Sequence, residues 1–209
     1  MRLVLASNNA KKLIELQALL SGLPLQLMPQ SALHIAEAAE PYDTFVENAL
    51  AKARHAAAYA KGPAIADDSG LCVDALSGAP GVASANYANP LPDTGDREQR
   101  RVQQDAANTA LLLQRMRDAT NRRARFVSTL VALRHAHDPE PLIAFGRWEL
   151  ELLHEPRGSG GFGYDPVVRV PTHDCSVAEL SSVVKNQISH RALAAQAMRT
   201  LIQDVWRLE

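Results

Sequence analysis

The sequence predicts an α/β or α+β fold built on a mixed β-sheet, and three observations carry that prediction. Strand-like apolar runs are interleaved with helix-like ones along the chain rather than segregated. Two strand-like runs late in the chain are joined through Asp138-Pro139-Glu140-Pro141 as a hairpin, which favours a mixed sheet over a purely parallel one. The 209 residues, 46% apolar and with a formal net charge of −1, fit one compact domain or one domain of two lobes. Charge this balanced, with so many apolar residues, also argues against disorder.

The elements follow in order. Leu3-Val4-Leu5-Ala6 reads as a short strand, broken by Ser7-Asn8-Asn9, residue types that cap helices. Leu13, Leu16, Leu19 and Leu20 then recur at helical spacing. A second helix starts at Thr44, where Thr44-Phe45-Val46-Glu47 has the capping-box form, and it runs through an Ala-rich stretch until Gly62-Pro63 stops it. Ala64-Ile65-Ala66 is read as a short buried strand ending in Asp67-Asp68-Ser69-Gly70. Ser77 to Gly95, rich in Gly, Pro, Asn and Asp, predicts a long surface segment. A polar helix covers Asp96 to Arg117, and strands cover Ala124 to Leu133 and Leu142 to Leu150. Gly158 to Tyr164 is a glycine-rich loop, and a last helix runs from near Ser189 to about Trp206.

Composition excludes several classes. Near-neutral charge argues against a protein that coats nucleic acid or membrane non-specifically, though it allows a local basic pocket. Cys72 and Cys175 are too few for a disulfide framework and match no zinc spacing, so two reduced thiols in a cytoplasmic protein are expected. The run from Leu3 to Ala6 is far shorter than a signal-peptide core, and nothing approaches a membrane span of ~20 apolar residues.

Four constellations could carry chemistry. Ser7-Asn8-Asn9-Ala10-Lys11-Lys12 sits at a strand end and a helix start, where unpaired N–H groups and the macrodipole favour an anion. Lysines in that first turn suit a bound phosphate, although they could be plain solvated residues. Asp67-Asp68 places two carboxylates on opposite faces of an extended chain, so one can face a cavity while the other bonds within the scaffold. Such acids suit Mg²⁺, which takes one or two carboxylates plus substrate phosphates; an ordinary turn is the plainer reading. Glu40, just before Pro41, is an additional acid, and Glu47 has a structural explanation as a capping residue.

Gly158 to Pro166 formally contains G-x-G-x-x-G, but Pro166 argues against the helix a dinucleotide fold requires. What remains is a flexible backbone presenting Phe162 and Tyr164 as faces for a base, with Asp165 beside them. Finally, Lys185 and Ser189-His190-Arg191 put positive charge at another helix start. Two such violations in one chain point to an anionic or carbonyl-rich ligand. Together the four sets spell a nucleoside triphosphate with Mg²⁺.

These segments resemble the inosine/xanthosine triphosphate pyrophosphatase family. The matching stretches are Leu5 to Asn9 with Lys12, Thr44 to Ala49 with Lys52, and Ala66 to Leu71 with Gly78 to Gly81. Gly161 to Pro166 and Lys185 with Ile188 to Arg191 complete the set, in the family's order over nearly the whole chain. The resemblance implies a single domain, residues 1–209, with an elongated α/β fold of two lobes around a long mixed sheet and an active-site cleft between lobes. It also implies a homodimer without nucleic-acid or membrane partners, and Mg²⁺-dependent release of pyrophosphate from deaminated purine nucleotides. Ser7 to Lys12 would hold the triphosphate, Asp68 would be the general base, and Glu40 and Asp68 would form the metal site, with Asp67 supporting. Ser69, Phe162, Gly163, Tyr164, Asp165, Lys185, His190 and Arg191 match substrate-binding positions. Asn86, Val184 and Ala39 depart from the pattern, which bears on metal and dimer contacts.

The expected mechanism aims a water, oriented by Asp68, at the α-phosphorus, with Lys12 stabilising the departing pyrophosphate. Phe162 stacks the base, and His190 and Arg191 donate to the 6-keto oxygen that adenine lacks. A Maf-like pyrophosphatase for other nucleotides and a silent nucleotide-binding module are the alternatives.

Overall fold

A seven-stranded mixed sheet, ordered β2-β1-β3-β4-β5-β6-β7, organises the computed structural model, which describes residues 1–90, 92 and 96–208. In chain order the elements are β1 (Arg2–Leu5), α1 (Ala10–Leu19), β2 (Gln26–Pro29), α2 (Phe45–Ala60), β3 (Ala64–Val73) and α3 (Arg97–Arg115). Then come β4 (Arg123–Leu133), β5 (Leu142–Leu152), β6 (Val168–Val170), β7 (Cys175–Ser176), α4 (Ser182–Ile188) and α5 (His190–Leu201). Strand β1 runs parallel to both β2 and β3, whereas β6 pairs antiparallel with β5 and β7. The expected α/β class with a mixed sheet is therefore observed. No described helix is long and apolar enough to cross a membrane.

The chain divides into two compact units, the first Met1–Ser69, Ser128–Arg147 and Asn186–Glu209, the second Gly70–Val127 and Trp148–Lys185. In the first unit β1 is buried on both faces, which explains its unbroken apolar run. Leu3 and Leu5 join Ile65, Leu130 and Leu142 under Leu16 and Leu20 of α1 and Ala194, Ala195 and Met198 of α5. Val4 and Ala6 point the other way, as the period of two requires, and meet Ala49, Ala53, Ala56 and Ala57 of α2. Alanine's small volume lets α2 lie close to the sheet, and this brings Lys52, one residue from Ala53, down to β3.

The second unit buries Leu71, Val73, Leu112, Met116, Phe126, Leu150 and Val168. Its polar knot is Ser84, whose Oγ accepts from the Leu71 N–H at 2.9 Å and donates to the Gly81 carbonyl at 2.6 Å. Asn108 of α3 donates to the carbonyls of Ser84 and Ala85. The stretch expected as a long surface segment is thus pinned inward at Ser84, because its backbone groups find buried partners. Residues 91 and 93–95 of that stretch lie outside the described residues.

Two further expectations change. Strand β3 does not end at the acidic motif but continues through Asp67-Asp68-Ser69-Gly70 to Val73. Gly70 permits this, since a Cβ there would stand 2.4 Å from the Gly81 carbonyl oxygen and from Ser84 Oγ. At Thr44 the cap forms, with Oγ1 accepting from the Glu47 N–H, but the Thr44 hydroxyl also donates to the Glu47 carboxylate at 2.6 Å.

Candidate active site

The first unit concentrates charge around β3. Asp67 is 1% exposed, and its oxygens accept from Ser128 Oγ at 2.9 Å, Arg191 Nε at 2.9 Å and Ser69 Oγ at 3.4 Å, with Lys12 Nζ 3.2 Å away. Burial alone would raise its pKa. The cations Arg191, Lys12 and Lys52 outweigh burial and hold Asp67 far below the usual carboxylate range. Scaffold side chains thus engage both oxygens, Ser128 at Oδ1 and Arg191, Ser69 and Lys12 at Oδ2. This geometry favours a supporting role for Asp67 over direct ligation of a metal.

Asp68 faces the other way along the extended strand and lives in a different environment. It accepts from Lys52 Nζ at 2.7 Å through Oδ1, while Oδ2 is buried with no hydrogen-bond donor. Burial pushes its pKa up to about 6 despite the Lys52 ammonium. Lys52 Nζ also donates to Glu40 Oε2 at 2.8 Å and to the Asp67 carbonyl at 3.1 Å. Burial opposes ionisation of Glu40 too, but Lys52 prevails and lowers that carboxyl. Lys52 itself would be lowered by burial, yet the two acids raise it.

Asn48 of α2 fixes Glu40's loop. Its side-chain amide accepts from the Tyr42 N–H and donates to the Tyr42 carbonyl, each at 3.0 Å. Glu40 and Asp68, both held by one ammonium, and the donorless Oδ2 of Asp68 fit a hard divalent cation that completes its shell with substrate oxygens. The described residues contain no group of three or more His, Cys, Asp or Glu able to enclose a metal unaided.

The N-terminus of α1 is built around Asn9. Its Oδ1 accepts from the N–H groups of Lys11 and Lys12, and its own N–H donates to Ser7 Oγ. Asn9 Nδ2 is buried with no acceptor, a cost of about 1–3 kcal/mol unless an incoming group accepts from it. Burial lowers the pKa of Lys12, and a bound anion would oppose that shift.

Arg191, the second residue of α5, is 2% exposed. Its guanidinium donates to Asp67, to Glu15 Oε2 of α1 at 2.5 Å and to Ser69 Oγ at 2.9 Å. The expectation that Arg191 reads a substrate edge is not what this geometry favours: three scaffold partners occupy the fork. His190 is buried at the start of the same helix, and its carbonyl lies where a Cβ on Gly146 of β5 would come within 1.9 Å. Only glycine lets α5 begin there.

In the second unit, Lys185 Nζ donates to Asp165 Oδ2 at 2.8 Å and stands 4.9 Å from the centroid of the Phe162 ring. Asp165 also accepts from the Phe162 N–H at 2.9 Å. Tyr164, expected at the substrate, is buried instead, its hydroxyl donating to the Ser84 carbonyl at 2.9 Å. Burial raises its pKa. It anchors the loop.

The family model described as the Ham1 family matches residues 3–201. The chain belongs to the Ham1 family. It is 63% identical to the dITP/XTP pyrophosphatase of Methylibium petroleiphilum, over 99% of each chain, and 61% identical to that of Leptothrix cholodnii, over the whole of both. Among solved structures, the HAM1 protein of Coxiella burnetii superposes with a TM-score of 0.86 at 40% identity, covering 98% of this chain and 100% of that one. For this Ham1 chain, sequence reasoning missed Glu15 and Ser128, the outer partners of the Arg191–Asp67 pair. Glu15 lies one turn after Lys11 on α1, a spacing that gives a signal, whereas Ser128 sits in an unmarked apolar strand.

Proposed function

We propose that this Ham1 family member hydrolyses non-canonical purine nucleoside triphosphates, dITP, ITP and XTP, to the monophosphate and pyrophosphate. It would thereby remove deaminated bases from the nucleotide pool of the cytoplasm. The observation that carries the reading is the Lys52 bridge between Glu40 and Asp68, beside an Asp68 oxygen with no donor. The name of relatives more than 60% identical over nearly their full length supports the substrate class. The two units act as one domain in this reading, and a homodimer acts as the working form.

Asp68, ionised and held by Lys52, accepts a proton from the attacking water and orients it at the α-phosphorus. Its pKa of about 6 keeps it basic enough to accept that proton and ionised at neutral pH. Lys12, Asn9 Nδ2 and the N-terminus of α1 receive the pyrophosphate, where cationic and N–H donors stabilise developing negative charge. Mg²⁺, held by Glu40 and Asp68, would neutralise phosphate charge that otherwise repels the water. Phe162 offers its ring to the base, and His190 donates to the 6-keto oxygen. Arg191 keeps Asp67 and Ser69 in register beneath the reacting groups.

Incubation with ITP, dITP, XTP, ATP or dTTP and Mg²⁺ tests this, with pyrophosphate and phosphate measured separately. Pyrophosphate is expected from the three 6-keto purines only. Turnover of dTTP instead would mark a Maf-like enzyme, and no turnover at all a binding module.

A further inference from the structure

Phe162 lies between Gly161 and Gly163, whose φ angles are 72° and 61°. Glycines adopt these conformations without strain but resist leaving them little, so the peptide units around Phe162 need outside fixation. Two carboxylates supply it. Asp165 accepts from the Phe162 N–H from within the same loop. Asp105, on the far side of the sequence in α3, accepts from the Gly163 N–H at 2.9 Å. That N–H belongs to the peptide unit carrying the Phe162 carbonyl, so the pair pins both peptides flanking the ring.

Asp165 is in turn fixed by Lys185 at 2.8 Å, and a Cβ on Gly161 would sit 2.0 Å from Asp165 Oδ2. The local half of the clamp is therefore tightly specified. The other half depends on α3, where Asp105 lies three residues before Asn108, the residue that fastens α3 to Ser84 and Ala85. One helix turn thus anchors to the Ser84 knot and reaches the glycine loop. A pre-set loop spares the ligand the cost of ordering it on binding.

We infer that Asp105 is a positioning residue for base recognition: it holds the peptide after Phe162 so that the ring is presented before a nucleotide arrives. The inference rests on the proposed role of Phe162. Asp105→Ala should raise KM for ITP about tenfold with kcat within about twofold, since loss of pre-organisation weakens ground-state and transition-state binding alike. Affinity for inosine monophosphate without metal, measured by calorimetry, should fall by the same factor. Asp105→Asn keeps an acceptor oxygen and should stay within about threefold of the parent KM.

In a Phe162→Ala background, Asp105→Ala should change KM less than about twofold, because the two residues act through one group. An unchanged KM for Asp105→Ala, an Asn variant as impaired as the Ala variant, or independent losses in the double variant would each overturn the inference. Phe162→Ala with an unaltered KM would instead refute the base-stacking reading, whatever Asp105 does. Alanine suits a helix interior, and if Asp105→Ala nonetheless fails to fold, Asp105→Ser, too short to span the gap, takes its place with the same expected outcomes.

Discussion

Asp67 and Asp68 are chemically identical neighbours that the fold drives to opposite protonation behaviour. The Asp67 carboxylate meets two cations and two hydroxyls; Asp68 accepts from one ammonium, and its second oxygen is buried without a donor. Asp68→Asn should abolish pyrophosphate release while ITP binding survives, measurable by calorimetry beside a pyrophosphate assay; retained turnover would remove Asp68 from the base role. The pH dependence follows from the same contrast. Asp68's folded pKa of about 6 exceeds its unfolded value of about 3.9, so between those values the folded state binds more protons and stability falls as pH rises. Asp68→Asn removes that burden, and its Tm relative to the parent should improve from pH 4 to pH 7. Activity runs the other way, since the base must be ionised: kcat/KM should drop with unit slope below about pH 6. Arg191→Ala leaves Asp67 charged, buried and without its strongest partner, at a cost of about 3–5 kcal/mol. Differential scanning calorimetry should show a Tm loss on the order of 10 °C in a chain this long, and a variant as stable as the parent would contradict the scaffold role.

At the scale of elements, what the sequence reveals depends on how local each cause is. Strand β1, helices α1 and α2 and the β4–β5 hairpin announce themselves through apolar runs, periodicity and caps, and Ser189 caps α5 as its residue type suggests, accepting from the Ala192 N–H at 3.1 Å. Strands β6 and β7 have three and two residues, too short for any period to emerge. The continuation of β3 through the acidic motif is invisible locally, because Asp-Asp-Ser-Gly is turn-like and only partners distant in sequence hold it extended. The same holds within the site. The motif residues stand out, yet Arg191 and Tyr164 look like ligand contacts until Glu15, Ser69 and Ser84 are found waiting for them. Helix α2 illustrates how an element serves the site: Lys52 bridges the two acids while Asn48, one turn earlier, holds the loop that carries Glu40. Asn48→Ala should therefore raise the Mg²⁺ concentration needed for half-maximal activity about tenfold, while the KM for ITP at saturating Mg²⁺ changes less than about threefold, given the usual cost of losing a ligand's supporting partner. Equal Mg²⁺ requirements in both proteins would show that Glu40 needs no such support.

For the molecule as a whole, the question is how a chain of net charge −1 handles a polyanionic substrate. Its 17 arginines far outnumber its five lysines, and several of those arginines are neutralised where they stand. In the first unit Arg134 pairs with Asp138 and Glu140; in the second Arg169 pairs with Glu151 and Asp174, Arg157 with Glu179, and Arg125 with Asp74. Paired charges of this kind cancel within a few ångströms and leave little field at a distance. Two of the five lysines, by contrast, sit in the proposed site with side chains only 10–16% exposed: Lys12 and Lys52. A compact ammonium at a crowded phosphate site is not interchangeable with a guanidinium, which fits the retention of lysine at these positions. The attraction for a triphosphate is thus short-ranged and sheltered, where mobile ions screen weakly; a field spread over the surface would be screened within about 10 Å at 0.1 M salt. Raising NaCl from 0.05 to 0.5 M at saturating Mg²⁺ should accordingly lower kcat/KM for ITP by less than about threefold, in contrast to the steep losses of electrostatically steered encounters. A loss beyond about tenfold in stopped-flow or steady-state measurements would mean that exposed arginines draw the substrate in from a distance. It would move the origin of substrate capture from the buried cluster to the surface.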